Sequence, residues 1–354
     1  MTLKQLTAVA VLLLAGASTA HAEFPFATGY SRFVGTGANG GPNHGYIEVP
    51  DHPTLDITGP LTIEGWVNFE TPFPSQTCRS IVGKQFTSAF WVGVCGSTLR
   101  AYLKGNSSSH DSGTVPAGVW THFAIVFDGA FQRHYINGEQ TGAFPTAGPL
   151  PVNNQPLRIG SDVAWQYSPN GNIEEIRIWN VARTQDQIQA TMFQFASTFA
   201  TPGLIGAWGL NTNGNVTGGT TGFALNGTVN GALSFIPALP AGPFLSTSRI
   251  PNFRFKVRIT GGSTIAGVQE SDCVPETACI SGAVPGRSEV FIRVVGPRPN
   301  GYLWPNFIKF TQSRVEVWIE QTSTGGLEYY DLAAAAGPTD DSLTGLFDRL
   351  GWLP

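Results

Sequence analysis

Charge is scarce in this 354-residue chain. Asp, Glu, Lys and Arg together make up 12% of it, with 20 basic and 24 acidic residues and a formal net charge of −4. Globular domains carry about twice that share. A chain so poor in basic residues lacks the electrostatic footprint of a nucleic-acid binder. Cysteine is also sparse, at four, and no C-x-x-C pair occurs. No G-x-S-x-G elbow is present, and no glycine-rich loop followed by lysine, so neither a serine nucleophile nor a phosphate cradle has support. Long apolar runs are missing beyond the first residues, so no membrane span is expected. Glycine (43) and proline (25) are abundant and spread along the chain, as many short strands joined by tight turns require.

The first 22 residues read as a targeting segment. Lys4 precedes an apolar core from Leu6 to about Ala17, and Ala20-His21-Ala22 supplies a small-x-small cleavage pattern. The expected product begins near Glu23 and is secreted, extracellular or held at a cell surface. Export makes disulfides the default for Cys78, Cys95, Cys273 and Cys279. Three pairings are possible. Cys78–Cys95 and Cys273–Cys279 are favoured because each stays within one domain, and zinc is the weaker alternative.

Residues 23–237 form the expected first domain. "GYIEVP" (45–50), "LTIEGWVNFE" (61–70), "FWVGV" (90–94), "LRAYLK" (99–104), "WTHFAIVFDG" (120–129) and "RHYINGE" (133–139) follow the period of a half-buried strand. DG and NG mark turns between them. The pattern predicts an all-β, antiparallel jelly-roll sandwich. One helix interrupts it, with Thr184 as cap, Gln187 three residues on, and Ile188, Met192 and Phe195 as its apolar stripe over about three turns. Residues 238–250 read as a linker. Residues 251–332 read as a smaller β-sandwich, with strands at 253–260, 289–295, 302–310, 314–321 and 327–332. In the tail, 333–354, Leu343, Leu346, Phe347 and Leu350 are spaced as a short helix ended by Gly351. It docks on its own domain or engages a partner.

The ordered segments "GYIEVPDHPTLDITGPLTIEGWVNFE", "WTHFAIVFDGAFQRHYINGEQTG", "LRIGSD", "GNIEEIRIWNVARTQDQI" and "GLIGAWGLN" resemble the laminin-G-like, concanavalin A-like jelly-roll domains of secreted proteins, over roughly residues 28–237. The resemblance implies carbohydrate or protein binding rather than catalysis. Related β-glucanases use an E-x-D-x-E signature, because carboxyls at i, i+2 and i+4 share one strand face. Glu174 and Glu175 are neighbours, so strict alternation sends them to opposite faces. Glu174 is then inward with Ile176 and Ile178, and Glu175 is an outward partner of Arg177. No catalytic residue is assigned. The resemblance also implies a calcium ion at the sandwich rim, with Asp162 and Glu174 in the ligand positions. The acids usual in "FVGTGANGGPNHGY" and "TNGNVTGGTTGFALNG" are absent here. The loop at 161–172, "SDVAWQYSPNGN", offers Trp165, Tyr167, Asn170 and Asn172 as a sugar shelf, because flat rings stack on pyranose CH faces while amides hold hydroxyls. "PNGYLWPNF" (299–307) is a second aromatic stretch, read as an edge strand packing its own domain. His122 is read as a packing residue. The expected partner is a glycan or an extracellular surface protein, with self-association through strand edges or the tail as the structural alternative.

Overall fold

The computed structural model describes residues 29–33, 44–69, 77–105, 109–163, 168–194, 202–210, 225–237, 245–246, 252–260, 267–268, 277–281, 288–295, 304–309, 314–321 and 327–332. The leader, the tail, Phe195, Trp165, Tyr167 and Cys273 lie outside them, and with Cys273 the expected Cys273–Cys279 pairing. The chain divides into two compact units, Met1–Ala238 and Leu239–Pro354.

The first unit contains β1 (Gly29–Phe33), β2 (Tyr46–Val49), β3 (Leu61–Phe69), β4 (Cys78–Gly83), β5 (Trp91–Cys95), β6 (Thr98–Tyr102), β7 (Ser109–Thr114), β8 (Thr121–Phe127), β9 (Phe131–Ile136), β10 (Glu139–Pro145), β11 (Leu157–Ile159), β12 (Gly171–Trp179), α1 (Gln185–Thr191), β13 (Leu204–Trp208), β14 (Thr228–Asn230) and β15 (Leu233–Pro237). They build two antiparallel sheets. Sheet A runs β10-β9-β8-β3-β12-β1-β15, with β13 also on β12, and sheet B runs β14-β2-β11-β4-β5-β6-β7. The core between them takes one parity from each strand: Ile63, Val67, Ile125, Ile173, Ile176 and Ile178 from sheet A, and Ile47, Val49, Val92, Leu99, Leu157 and Ile159 from sheet B. This is the expected jelly-roll sandwich. Strands β4, β7 and β10 escaped the sequence reading. Strand β7, SHDSGT, is polar on both parities because it is the edge of sheet B. The Cys78–Cys95 disulfide forms between facing positions of β4 and β5.

In the second unit, β16 (Leu245–Ser246), β17 (Phe253–Thr260), β22 (Arg314–Gln321) and β23 (Leu327–Leu332) form one sheet. Strands β18 (Gly267–Val268), β19 (Thr277–Ser281), β20 (Ser288–Val295) and β21 (Trp304–Lys309) form another. Strand β16 falls inside the expected linker and pairs with Phe255 and Arg254, so part of that segment belongs to the second unit.

The expected alternation at the two glutamates is overturned. Glu174 pairs with Trp66 and Arg177 with Glu64, so Glu175 and Ile176 together oppose Gly65. This is a β-bulge, with Glu175 at a φ of 52°. Gly65 fits it because a Cβ there would come within 2.6 Å of Ile176. The extra residue resets the parity. Ile173 and Ile176 both face the core, and Glu174, Glu175 and Arg177 all lie on the outer side of sheet A. Nor is Glu175 on the surface: it and Arg177 are 2% and 1% exposed, with Arg177 Nη2 3.0 Å from Glu175 Oε2.

That outer side is sealed by the segment carrying α1. The helix is two turns rather than three, with Met192 as its C-cap, and the Thr184–Gln187 capping box is formed. Ile188 packs on Ala124, Val126 and Tyr135. The remaining attachment is polar. Glu64, wholly buried, takes Arg183 Nη1 at 2.7 Å and Trp179 Nε1 at 3.1 Å. Arg183 continues to Gln187 O at 2.6 Å, Arg177 to the carbonyls of Thr191 and Gln194, and Trp66 to Met192 O at 2.8 Å. Side-chain donors from the sheet, Arg177 and Trp66, thus reach carbonyls at and beyond the helix end, while Arg183 holds Gln187 from the turn before the helix. His122 packs beneath this layer, edge-on to Trp66, and burial first, then Arg177 and Arg183, holds its imidazole well below the usual range. The packing role read for His122 matches this position.

Two expectations follow for stability. Arg183→Met strands the Glu64 carboxylate in the interior and should cost about 3–5 kcal/mol in urea unfolding; a change below about 1 kcal/mol would contradict the hub. His134, between the sheets, is wholly buried with Nε2 2.8 Å from Gln132 Nε2, and burial holds its imidazole down to about 4, against 6.5 when free. Between those values the unfolded chain takes up a proton that the folded one refuses. Stability should therefore fall by up to about 3 kcal/mol as pH drops from 6.5 towards 4. Unfolding of His134→Gln, followed over the same range, should show a shallower decline.

Candidate ligand-binding face

The outer face of sheet B contrasts with that of sheet A. Its outward parity carries Tyr46 and Glu48 on β2, Arg158 on β11, Gly83 on β4, Trp91 on β5, and Arg100 and Tyr102 on β6. Tyr46, Glu48, Arg100, Tyr102 and Arg158 are all half-buried rather than sealed.

At the β2–β11 end, the Arg158 guanidinium sits 4.5 Å from the Tyr46 ring centroid, and His44 stacks on Tyr46 at 5.3 Å. Glu48 holds Arg158 through Nε at 2.9 Å and Nη2 at 2.8 Å, and Nη1 reaches Asp162 O at 3.4 Å. The planar fork of arginine is thereby fixed over an aromatic face. At the β4–β6 end, Trp91 lies across Gly93, where a Cβ would collide with the indole, and Trp91 Nε1 donates to Ser80 Oγ at 2.8 Å. Tyr102 follows at 5.3 Å and Phe86 at 5.9 Å from Tyr102. Arg100 and Asp111 pair through two bonds of 2.6 Å. Rings and paired charges thus alternate across the face, a composition that serves a polar ligand with apolar CH patches.

The loop singled out in the sequence borders this face. Ser168 Oγ donates to Gly45 O at 3.1 Å, and Asp162 is wholly buried, its Oδ2 accepting from Gln85 N at 3.0 Å and Phe86 N at 3.1 Å. The carboxylate stabilises a turn whose Gln85 has a φ of 90°, unusual for a residue with a side chain. Asn170 is half-buried at the entrance to β12. Asn172 pairs with Asn68 and Arg32 and lies, buried, on the outer side of sheet A with Glu174.

The structure does not bring Asp162 and Glu174 together. One lies against the outer face of sheet B, the other on the outer face of sheet A, with the core between them. Among the described residues, no three His, Cys, Asp or Glu side chains converge at metal-ligand distance. The sequence reading also missed Tyr46, Glu48, Arg158 and Tyr102 as candidate site residues, although for Tyr46, Glu48 and Tyr102 the signal was present: each occupies the non-core parity of a strand already identified.

Residues 39–189 match the family of the concanavalin A-like lectin/glucanases superfamily, Laminin_G_3. The match runs from just before β2 into α1. Pappalysin-1 of Mus musculus is 36% identical over 80 residues, which is 21% of this chain and 5% of that protein. Pappalysin-1 of Homo sapiens is 33% identical over 93 residues, 25% of this chain and 6% of that protein. The chain thus spans only a small fraction of the length of these relatives. A Bacteroides ovatus structure, provisionally described as a carbohydrate binding protein, aligns over 60% of each chain at 18% identity with a TM-score of 0.48.

Asp162→Ala removes an acceptor from two backbone N–H groups, and the expected loss is about 1–3 kcal/mol. Amide exchange of Gln85 and Phe86 should accelerate; unchanged exchange at both would contradict the role given to Asp162.

Proposed function

We propose that this protein is a secreted, non-catalytic binding protein whose first unit recognises a carbohydrate, or a glycan-bearing surface or matrix ligand, on the outer face of sheet B. The observation that carries the reading is the half-buried row of Tyr46, Arg158 and Tyr102, whose rings and pinned guanidinium stand on rigid strands. Rings on strands hold their orientation, which lowers the entropy lost on binding. The superfamily's lectin members support the ligand class. The Cys78–Cys95 disulfide supports an oxidising compartment, and no helix among the described residues is long and apolar enough to cross a membrane. The non-catalytic part rests on the bulge, which leaves Glu174 and Glu175 both buried on the outer side of sheet A rather than open to a substrate. Trp165, Tyr167, Asn170 and Asn172 belong to this reading as a rim shelf beside the face. Calcium enters it only through Asp162 or Glu174 singly, completed by carbonyl oxygens.

A glycan array probed with the full chain tests the reading. Binding to at least one glycan class is expected, with losses of tenfold or more for Tyr46→Ala and Tyr102→Ala and unchanged melting. Trp165→Ala tests the rim in the same assay. Binding unaffected by both tyrosine substitutions would place the site elsewhere.

A further inference from the structure

Lys84 follows β4 at one end of the sandwich, and its ammonium is buried at 2% side-chain exposure. Three oxygens surround Nζ: Asp51 Oδ1 at 2.7 Å, Asp56 Oδ1 at 2.8 Å and Asn153 O at 3.0 Å. An ammonium has three donors, and each has one acceptor. The three acceptors come from two separate segments: the β2–β3 loop, which carries both aspartates, and the strand approach to β11. Asn153 returns the contact by donating from Nδ2 to Lys84 O and to Ser88 Oγ, each at 2.9 Å. Asp162 secures the same β4–β5 turn from its other side through Gln85 N and Phe86 N.

We infer that the Lys84 ammonium is the resident cation of this rim, and that it holds the loops flanking the candidate face in the way a bound divalent ion would. Two carboxylates and a carbonyl, preorganised around a buried positive charge, are the donor types that a hard divalent cation takes. Here the charge is supplied covalently, so the loops are set without metal. The inference rests on the three contacts of Nζ, and it stands independently of what the face binds. Its corollary is that removing the lysine side chain leaves a latent calcium site made of Asp51, Asp56 and Asn153 O, with water completing the six to eight ligands that calcium takes.

The test compares melting of the full chain in chelator and in millimolar calcium for the wild type, Lys84→Ala, and Lys84→Ala combined with Asp51→Asn and Asp56→Asn. In chelator, Lys84→Ala should melt below the wild type. Calcium should raise the melting temperature of Lys84→Ala more than that of the wild type, since a native-state ligand stabilises by mass action. The triple variant should lose this extra response. A calcium response of Lys84→Ala no larger than that of the wild type, or one retained in the triple variant, overturns the inference. Should Lys84→Ala fail to fold in chelator, refolding in calcium supports the inference and failure in both conditions overturns it. Glycan binding is read separately, so loss of that activity does not bear on this result.

Discussion

Glu64 is the pivot of the first unit. Its carboxylate is wholly buried on the outer side of β3 and takes bonds from Arg183 and Trp179, while Arg177 lies 3.5 Å away and is shared with Glu175. A buried acid is tolerable only with such partners. Through them the sheet grips the carbonyls of the α1 segment, and that grip closes the outer face of sheet A. With the part of sheet A under α1 covered and the core between the sheets filled, the outer face of sheet B carries half-exposed rings and charges among the described residues.

Much of this was legible in the chain. Alternation over 61–69 and 121–127 marks strands because one parity is apolar and the other packs under a second layer. The Thr184–Gln187 capping box was legible because it is a local exchange between backbone and side chain. The Cys78–Cys95 pairing followed from domain economy. The bulge at Glu175 was not legible, because one inserted residue changes no composition; only the facing strand, with Gly65 opposite two residues, reveals it. That insertion reverses the reading of which glutamate is inward and turns a supposed surface pair into a buried one.

The site was half legible for a different reason. Loop composition drew attention to 161–172, and Ser168 and Asp162 do bind that loop to the edge of the face. The face itself is spread over five strands, β2, β4, β5, β6 and β11, with one or two outward residues from each. Tyr46, Arg158 and Tyr102 come together only when sheet order is known. The same holds for Lys84, whose acceptors lie 33, 28 and 69 positions away. Asp162 looked like a metal ligand from its position after a strand end, yet it serves backbone N–H groups, a role that sequence position does not distinguish.

The central claim is that ligand meets the outer face of sheet B while that of sheet A stays closed. Hydroxyl-radical footprinting of the full chain, with and without a bound polysaccharide, measures this directly. The account predicts ligand-dependent protection of Tyr46, Phe86 and Tyr102, with the buried Trp66 and Trp179 unreactive in both states. Protection confined to residues outside sheet B, or ligand-dependent reactivity at Trp66 and Trp179, would contradict it.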